Sequence, residues 1–417
     1  MKKRIAKRHS RNNAKARAQK YVELVETAHD PAHRLLLIQQ LIPLGLLVVE
    51  EELQAEVTRL AGVPYSRQGE NQRWGSNPGS VFLGDQKVSI RVPRVRNHKE
   101  ELELATYRSL QNPQVLSELA LSRVLNGLST RKYERAVTAV PETFGISASS
   151  ISRQFVAASS QKLKDFLERD LHPFEIVAVI MDGKTFAEES IITALGVTLQ
   201  GQKLILGFVE AATENASVCR DFLLSLQERG LRARDGILFV VDGAKGLSAA
   251  IREVFGKQAW IQRCQWHKRE NVVAYLPKSQ QSLFRKKLQR AYQQPTYAQA
   301  KRRLLTLHKE LRLLNQSAAN SLLEGLEETL TLHRLGLFEQ LGTSFKTTNC
   351  IESLHSQVEL YTGRVTYWKN SHQRQRWVAC AFMEIEKRLR RVKGYRHLKA
   401  LRKVFKNKVQ LQVLAIA

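Results

Sequence analysis

The chain has 417 residues, 43% of them hydrophobic, which is enough apolar material for two or three folded domains and too much for a disordered polymer. Lys and Arg number 66 against 39 Asp and Glu, and the resulting net charge of +27 at pH 7 goes beyond what solubility requires and points to a polyanionic partner. Four scattered cysteines, Cys219, Cys264, Cys350 and Cys380, exclude a disulfide framework and indicate a reducing, cytoplasmic setting. The longest apolar run, Leu35 to Val49, is broken by Gln39, Gln40 and Pro43, so no membrane span is expected. The cations Lys2, Lys3 and Arg4 lack the apolar stretch that would make them a secretory signal.

Residues 1–20 carry nine Lys/Arg and no acid, and residues 1–30 read as a basic flexible arm. Residues 31–109 form an N-terminal helical layer and a β-hairpin. Apolar spacing over 31–62 predicts a helical pair broken at Gly45. From Ser80 the period falls to two, with Val81 and Leu83, a Gly84-Asp85 turn, then Val88, Ile90 and Val92. Arg91 and Arg94 on its second strand are candidate DNA contacts. Residues 110–169 carry two similar helix starts, Gly127-Leu128-Ser129-Thr130 followed by Arg131, and Gly145-Ile146-Ser147-Ala148. They predict a helix-turn-helix-like DNA-binding region with Ala148 to Ala158 as recognition helix, Arg153 facing the major groove and Arg131 also on DNA. An ordinary three-helix packing unit carries the same signals.

Residues 170–277 change texture. Strands are predicted at Glu175–Met181, Ile191–Leu199, Lys203–Val209, Gly236–Val241 and Trp260–Cys264, with helices at Asn215–Arg229, Ala244–Phe255 and Gln265–Tyr275. Three consecutive strands extended by two more through helical crossovers give an α/β fold with a ribonuclease-H-like core, a mixed five-stranded sheet with flanking helices. Asp182 follows the first strand and Asp242 the fourth, each before a glycine. If those strands are neighbours running the same way, both carboxylates emerge at adjacent carboxyl ends, where α/β sites form, and repel unless a cation lies between them. A third carboxylate, Glu352, opens a helix marked by Thr348 and Asn349 as caps. The long interval from Asp242 to Glu352 implies an insertion, and 278–342 is helical by pattern and rich in Leu, Lys and Arg. Residues 343–390 complete the core. Eleven Lys/Arg fall within 387–408, where Leu389, Val392, Leu398, Leu401 and Phe405 recur at the spacing of an amphipathic basic helix or pair of helices broken near Gly394, and 391–417 is read as a basic C-terminal tail.

Asp182-Gly183, Asp242-Gly243 and Asn349-Cys350-Ile351-Glu352, with Cys264-Gln265-Trp266-His267 after the fifth strand and a helical insertion before the glutamate, resemble the mutator-type family of transposases in its bacterial insertion-sequence branch. The segment Val88 to Asn97 is also similar to that family's N-terminal hairpin, with Val95 where the family often carries an acidic residue. The resemblance implies a DDE recombinase that binds terminal inverted repeats on double-stranded DNA, cuts there, and joins the ends to target DNA as a homodimer or higher oligomer. It further implies that Asp182, Asp242 and Glu352 are both catalytic and metal-binding, and that Cys264 and His267 support the active-site architecture as a buried structural pair.

Three carboxylates suit two divalent ions, with Mg²⁺ favoured by hard oxygen donors and Mn²⁺ as a substitute. Cys264 and His267 have no second pair at zinc spacing nearby. The same residues would serve a nuclease of this fold that only cleaves, which strand-transfer assays separate from a transposase. A DNA-binding regulator derived from a transposase is the non-enzymatic alternative, and the three intact carboxylates argue against it.

Overall fold

A computed structural model describes residues 41–65, 70–83, 86–97, 100–111, 125, 148–186, 189–211, 215–363, 365 and 367–414. The basic arm, Arg131, both predicted helix starts at 127–130 and 145–147, and the Gly84-Asp85 turn lie outside the described residues. The chain divides into two compact units, Met1–Ala158 and Ser159–Ala417.

In the first unit, α1 (Leu41–Ala61) runs through Gly45, where the sequence predicts a break. A helical glycine costs only about 1 kcal/mol relative to alanine, and α1 offsets that by burying Val49, Leu53, Val57 and Ala61 along one face. That face packs on the hairpin of β1 (Gln72–Leu83) and β2 (Gln86–Arg96), against Val81, Ile90 and Val95. The hairpin begins at Gln72, earlier than the Ser80 that the sequence predicts, since pairing with β2 extends it through Gln72 to Asn77, which has no apolar alternation to announce a strand. There the register shifts between Arg73 and Ser76, and Gly75 adopts φ +78°. A two-residue strand β3 (Glu101–Leu102) and a short helix α2 (Ala105–Leu110) follow. No side chain caps α2 at its N-cap residue; instead Glu56 of α1 accepts from the backbone N–H groups of Ala105 (2.7 Å) and Thr106 (3.0 Å). Helix α3 (Ala148–Leu167) continues nine residues past the predicted end of the recognition helix, and its Leu163 and Phe166 belong to the core of the second unit.

The second unit is built on β4 (Ile176–Phe186), β5 (Glu189–Thr198), β6 (Lys203–Ala211), β7 (Ile237–Val241) and β8 (Ala259–Arg263), ordered β6-β5-β4-β7-β8. The first three are antiparallel; β7 and β8 run parallel to β4. Helix α4 (Ala216–Glu228) connects β6 to β7, and α5 (Lys245–Phe255) connects β7 to β8. Alternate residues feed two cores. Val179, Met181, Phe239 and Val241 pack with Phe222, Leu223, Leu247 and Ile251 of α4 and α5. Ile180, Leu238 and Val240 face the opposite core. Burial on both faces is why these strands read as continuous apolar runs rather than alternating ones.

After β8 come α6 (Gln265–Ala274), then α7 (Lys278–Tyr292), α8 (Tyr297–Leu314), α9 (Gln316–Leu323), α10 (Leu326–Thr329), α11 (Thr331–Arg334) and α12 (Phe338–Phe345). Much of this helical segment closes on its own core around Phe284, Leu288, Leu304, Leu311 and Leu322. Its later part is stitched along β8: the Gln262 and Gln265 side chains donate to Thr329 O (2.9 Å each), Gln262 accepts from Leu332 N (2.9 Å), and Thr331 Oγ1 donates to Ile261 O (2.6 Å). The insertion therefore covers the polar edge that β8 would otherwise expose.

Three further helices, α13 (Asn349–Thr362), α14 (Ser371–Glu386) and α15 (Leu398–Leu414), complete the unit. Through 414, the segment read as a basic tail is instead an integral part of the core. Leu398, Leu401 and Phe405 are buried, and the Phe405 ring lies 5.7 Å from that of Trp260. The buried Arg402 donates to Gly236 O (2.9 Å) and Ile176 O (3.0 Å), while Lys399, Lys403 and Lys406 remain outside. The helix and its buried face are as the apolar spacing predicts; the tail reading fails because an amphipathic helix carries its cations on one face and docks by the other. Phe405→Ala is expected to destabilise the protein by about 3–5 kcal/mol in chemical denaturation, whereas a solvated tail would give no change.

Candidate active site

The sheet positions the two aspartates. Parallel pairing of β4 with β7 runs from Ala178↔Leu238 to Met181↔Val241. Asp182 and Asp242 are each the next residue, so they stand at the same level on strands about 4.8 Å apart. Asp182 does not follow its strand as the sequence predicts. It lies inside β4, because the antiparallel ladder with β5 continues through Asp182↔Thr193 to Phe186↔Glu189 after β7 has ended. It is 7% exposed. Asp242 opens the turn into α5 and accepts from Ala244 N (2.9 Å), with Gly243 at φ +109°.

Glu352 lies in the first turn of α13. Thr348 occupies the N-cap position but makes no capping bond; its hydroxyl donates instead to Glu352 Oε1 (3.0 Å). The same hydroxyl is 3.3 Å from His267 Nδ1 and 3.6 Å from Cys264 Sγ. Cys264 is the N-cap of α6, its sulfur accepting from His267 N at 3.5 Å, and its own N–H donates to Val241 O (2.7 Å), one residue before Asp242. The Cys-x-x-His spacing thus places the imidazole over the capping sulfur, with Nε2 3.7 Å from Glu352 Oε1. Cys264 is buried as expected, but His267 is partly exposed, since it faces the carboxylates and not the core.

The bond to Cys264 raises the His267 pKa to about 9 against the opposing effect of burial, with the charges of Cys264, Asp182 and Glu352 adding to it. Burial alone would raise the Cys264 thiol; the bonds to His267 outweigh it and the net shift is downward. The first and third carboxylates therefore act on one imidazole.

Among the described residues, no three His, Cys, Asp or Glu side chains already converge as metal ligands. The donors nevertheless have the right chemistry for a hard divalent cation: carboxylate oxygens from three segments, two of them level with each other on neighbouring strands just past the last β4–β7 pair. Glu352 is held by Thr348 and His267, and with 39% of its side chain exposed it has room to turn toward the aspartates.

The candidate DNA-binding residues belong to the first unit. Arg153 is exposed on α3 and Arg91 is exposed on β2, lining a 440 Å³ groove with Arg73 and Glu50. Arg94 is engaged by Glu101 through both Nε (2.6 Å) and Nη2, so its charge is already met within the hairpin. In the second unit Lys184, two residues beyond Asp182, pairs with Glu359. Thr348 enters the site through its hydroxyl, and its one signal in the sequence is a spacing of four from Glu352, which puts both on one helical face.

The family described as "Transposase, Mutator family" matches residues 34–391. The transposase for insertion sequence element ISRM5 of Rhizobium meliloti (strain 1021) is 28% identical over 368 residues, covering 85% of this chain and 90% of that protein. The transposase for insertion sequence element IS256 in transposon Tn4001 of Staphylococcus aureus is 25% identical over 332 residues, covering 76% and 81%. A third relative, the transposase for insertion sequence element IS6120 of Mycolicibacterium smegmatis, is 33% identical over 171 residues, covering 39% and 52%. The chain belongs to the Mutator family of transposases.

His267 titrates above its unfolded value, so its contribution to stability is complete below pH 6.5 and is lost as pH rises through about 9. In an NMR titration without added cations the imidazole should lose its proton near pH 9, and Cys264→Ala should move that midpoint down toward 6.5. A midpoint already near 6.5 in the wild type would contradict the network.

Proposed function

We propose that this transposase is a DDE polynucleotidyl transferase with a ribonuclease-H-like catalytic core, which cuts DNA at the terminal inverted repeats of an insertion sequence and joins the ends to target DNA. The strand order β6-β5-β4-β7-β8, with β7 and β8 parallel to β4, supports the fold assignment. The observation that carries the chemistry is the level placement of Asp182 and Asp242 one residue past the last β4–β7 pair, with Glu352 reaching the imidazole on which Asp182 also acts.

In this reading Asp182, Asp242 and Glu352 hold two Mg²⁺ ions, with Mn²⁺ as a substitute. When bound, the ions supply polarisation of the scissile phosphate and a lowered pKa for the attacking water or 3′-hydroxyl. Asp182, fixed within β4, and Asp242, fixed by Ala244 N just past β7, would be the two ligands from the sheet. Glu352, held by Thr348 and 3.7 Å from His267 Nε2, would complete the set from α13, and His267 keeps a positive charge beside it. The exposed Arg153 and Arg91 are assigned to duplex contact, and the paired Arg94 is dropped from that role. Joining two ends of one element calls for two active sites held together, so a homodimer or higher oligomer on DNA is part of the proposal. A cytoplasmic location follows from the DNA substrate; among the described residues no helix is long and apolar enough to cross a membrane.

Asp182→Ala, Asp242→Ala and Glu352→Ala, made singly, should each abolish cleavage and strand transfer in Mg²⁺ while binding of terminal-repeat DNA stays within roughly a few-fold, since each removes a metal ligand and no phosphate contact. Near-wild-type strand transfer by any one of them would remove that residue from the set. Cleavage without joining in the wild type would leave a nuclease.

A further inference from the structure

Arg263 ends β8, beside the strand that delivers Asp242, and is only 6% exposed. Its guanidinium lies between two glycines with left-handed backbone. A methyl group on Gly243, the residue after Asp242, would stand 2.5 Å from Arg263 Cζ and collide with Nε; one on Gly325, between α9 and α10 of the insertion, would stand 2.5 Å from Nη1. Nη1 donates to Glu324 O (3.3 Å) and Nη2 reaches the Glu324 carboxylate (3.4 Å), both long bonds, and among the described residues Nε has no hydrogen-bond partner. Lys268, fully buried, approaches the same Glu324 carboxylate at 3.1 Å, so two buried cations share one carboxylate that is itself 47% exposed.

This is an expensive arrangement for adhesion alone. A buried, imperfectly paired cation costs several kcal/mol, and the insertion is already fastened to β8 through Gln262, Gln265 and Thr331. We infer that Arg263 is a positioning residue for Asp242: wedged against Gly243 from below and held by Glu324 and Gly325 from the insertion, it fixes the turn that aims the Asp242 carboxylate and couples that aim to the placement of the insertion. The inference rests on the reading of Asp242 as a metal-holding carboxylate. Lysine cannot replace the wedge, because it keeps the charge and can reach Glu324 but lacks the flat guanidinium that fills the space between the two glycines.

The test uses full-length protein and terminal-repeat DNA, with Arg263→Lys, Gly243→Ala and, as reference, Asp242→Ala. Four quantities are read: KM for DNA, kcat for cleavage, the Mg²⁺ concentration giving half-maximal cleavage, and the rise in thermal unfolding midpoint that Mg²⁺ or Mn²⁺ produces without DNA. For Arg263→Lys the expected result is KM within about twofold, kcat reduced and half-maximal Mg²⁺ raised by roughly 10- to 100-fold, and a smaller cation-induced rise in midpoint. Gly243→Ala, which forces the guanidinium aside and also strains a turn held at φ +109°, should move the same quantities in the same direction and at least as far, even if Arg263→Lys folds poorly. A lowered midpoint in both variants with kcat, Mg²⁺ dependence and cation-induced rise unchanged would overturn the inference and leave Arg263 as an adhesive contact. Full activity in Asp242→Ala would instead overturn the carboxylate reading itself, which separates the two failures.

Discussion

Parallel pairing between β4 and β7, Ala178↔Leu238 through Met181↔Val241, is the constraint on which the rest of this unit depends. Side chains alternate faces along a strand, so a slip of one residue would turn Asp182 or Asp242 away from its partner and drive core residues into the wrong layer. The register is held at both ends. At the far end Arg402 of α15 donates to Gly236 O, just before β7, and to Ile176 O, at the start of β4. At the near end Cys264 N donates to Val241 O. The helix that looks most like a disposable basic tail therefore sets the stagger of the two strands that carry the aspartates.

The site itself is a small polar network hung on that frame. Cys264 caps α6, the cap orients His267, His267 faces Glu352, and Thr348 touches all three. Each link is local, yet α6 and α13 are brought together by the insertion's return along β8, so the network exists only in the folded unit. The insertion reaches the sheet's other carboxylate as well, through Glu324, Gly325 and Arg263 to the turn after Asp242.

The order of strands and the carboxylates at their ends were readable because apolar periodicity and the repeated Asp-Gly step are local signals. The end of β7 before Asp242 and the start of the helix that carries Glu352 fall where those local signals put them. What the sequence hid was decided by distant partners. Asp182 lies within β4 because β5 outlasts β7, which no property of residues 176–186 announces. Gly45 does not end α1 because the hairpin buries the face that follows it, from Leu46 through Val49, Leu53 and Val57. Arg94 resembles a DNA contact until Glu101 folds against it, and Arg263 resembles one more surface cation in a chain with 66 of them.

The central claim is that Asp182, Asp242 and Glu352 share a divalent-cation site, and localized oxidation tests it most directly. With Fe²⁺ replacing Mg²⁺ in the presence of ascorbate and peroxide, hydroxyl radicals formed at the bound ion cut nearby backbone. The account predicts fragments ending near residues 182, 242 and 352 together, suppressed by excess Mg²⁺ and lost in Asp182→Ala. Cuts confined to other segments, with these three intact, would contradict it.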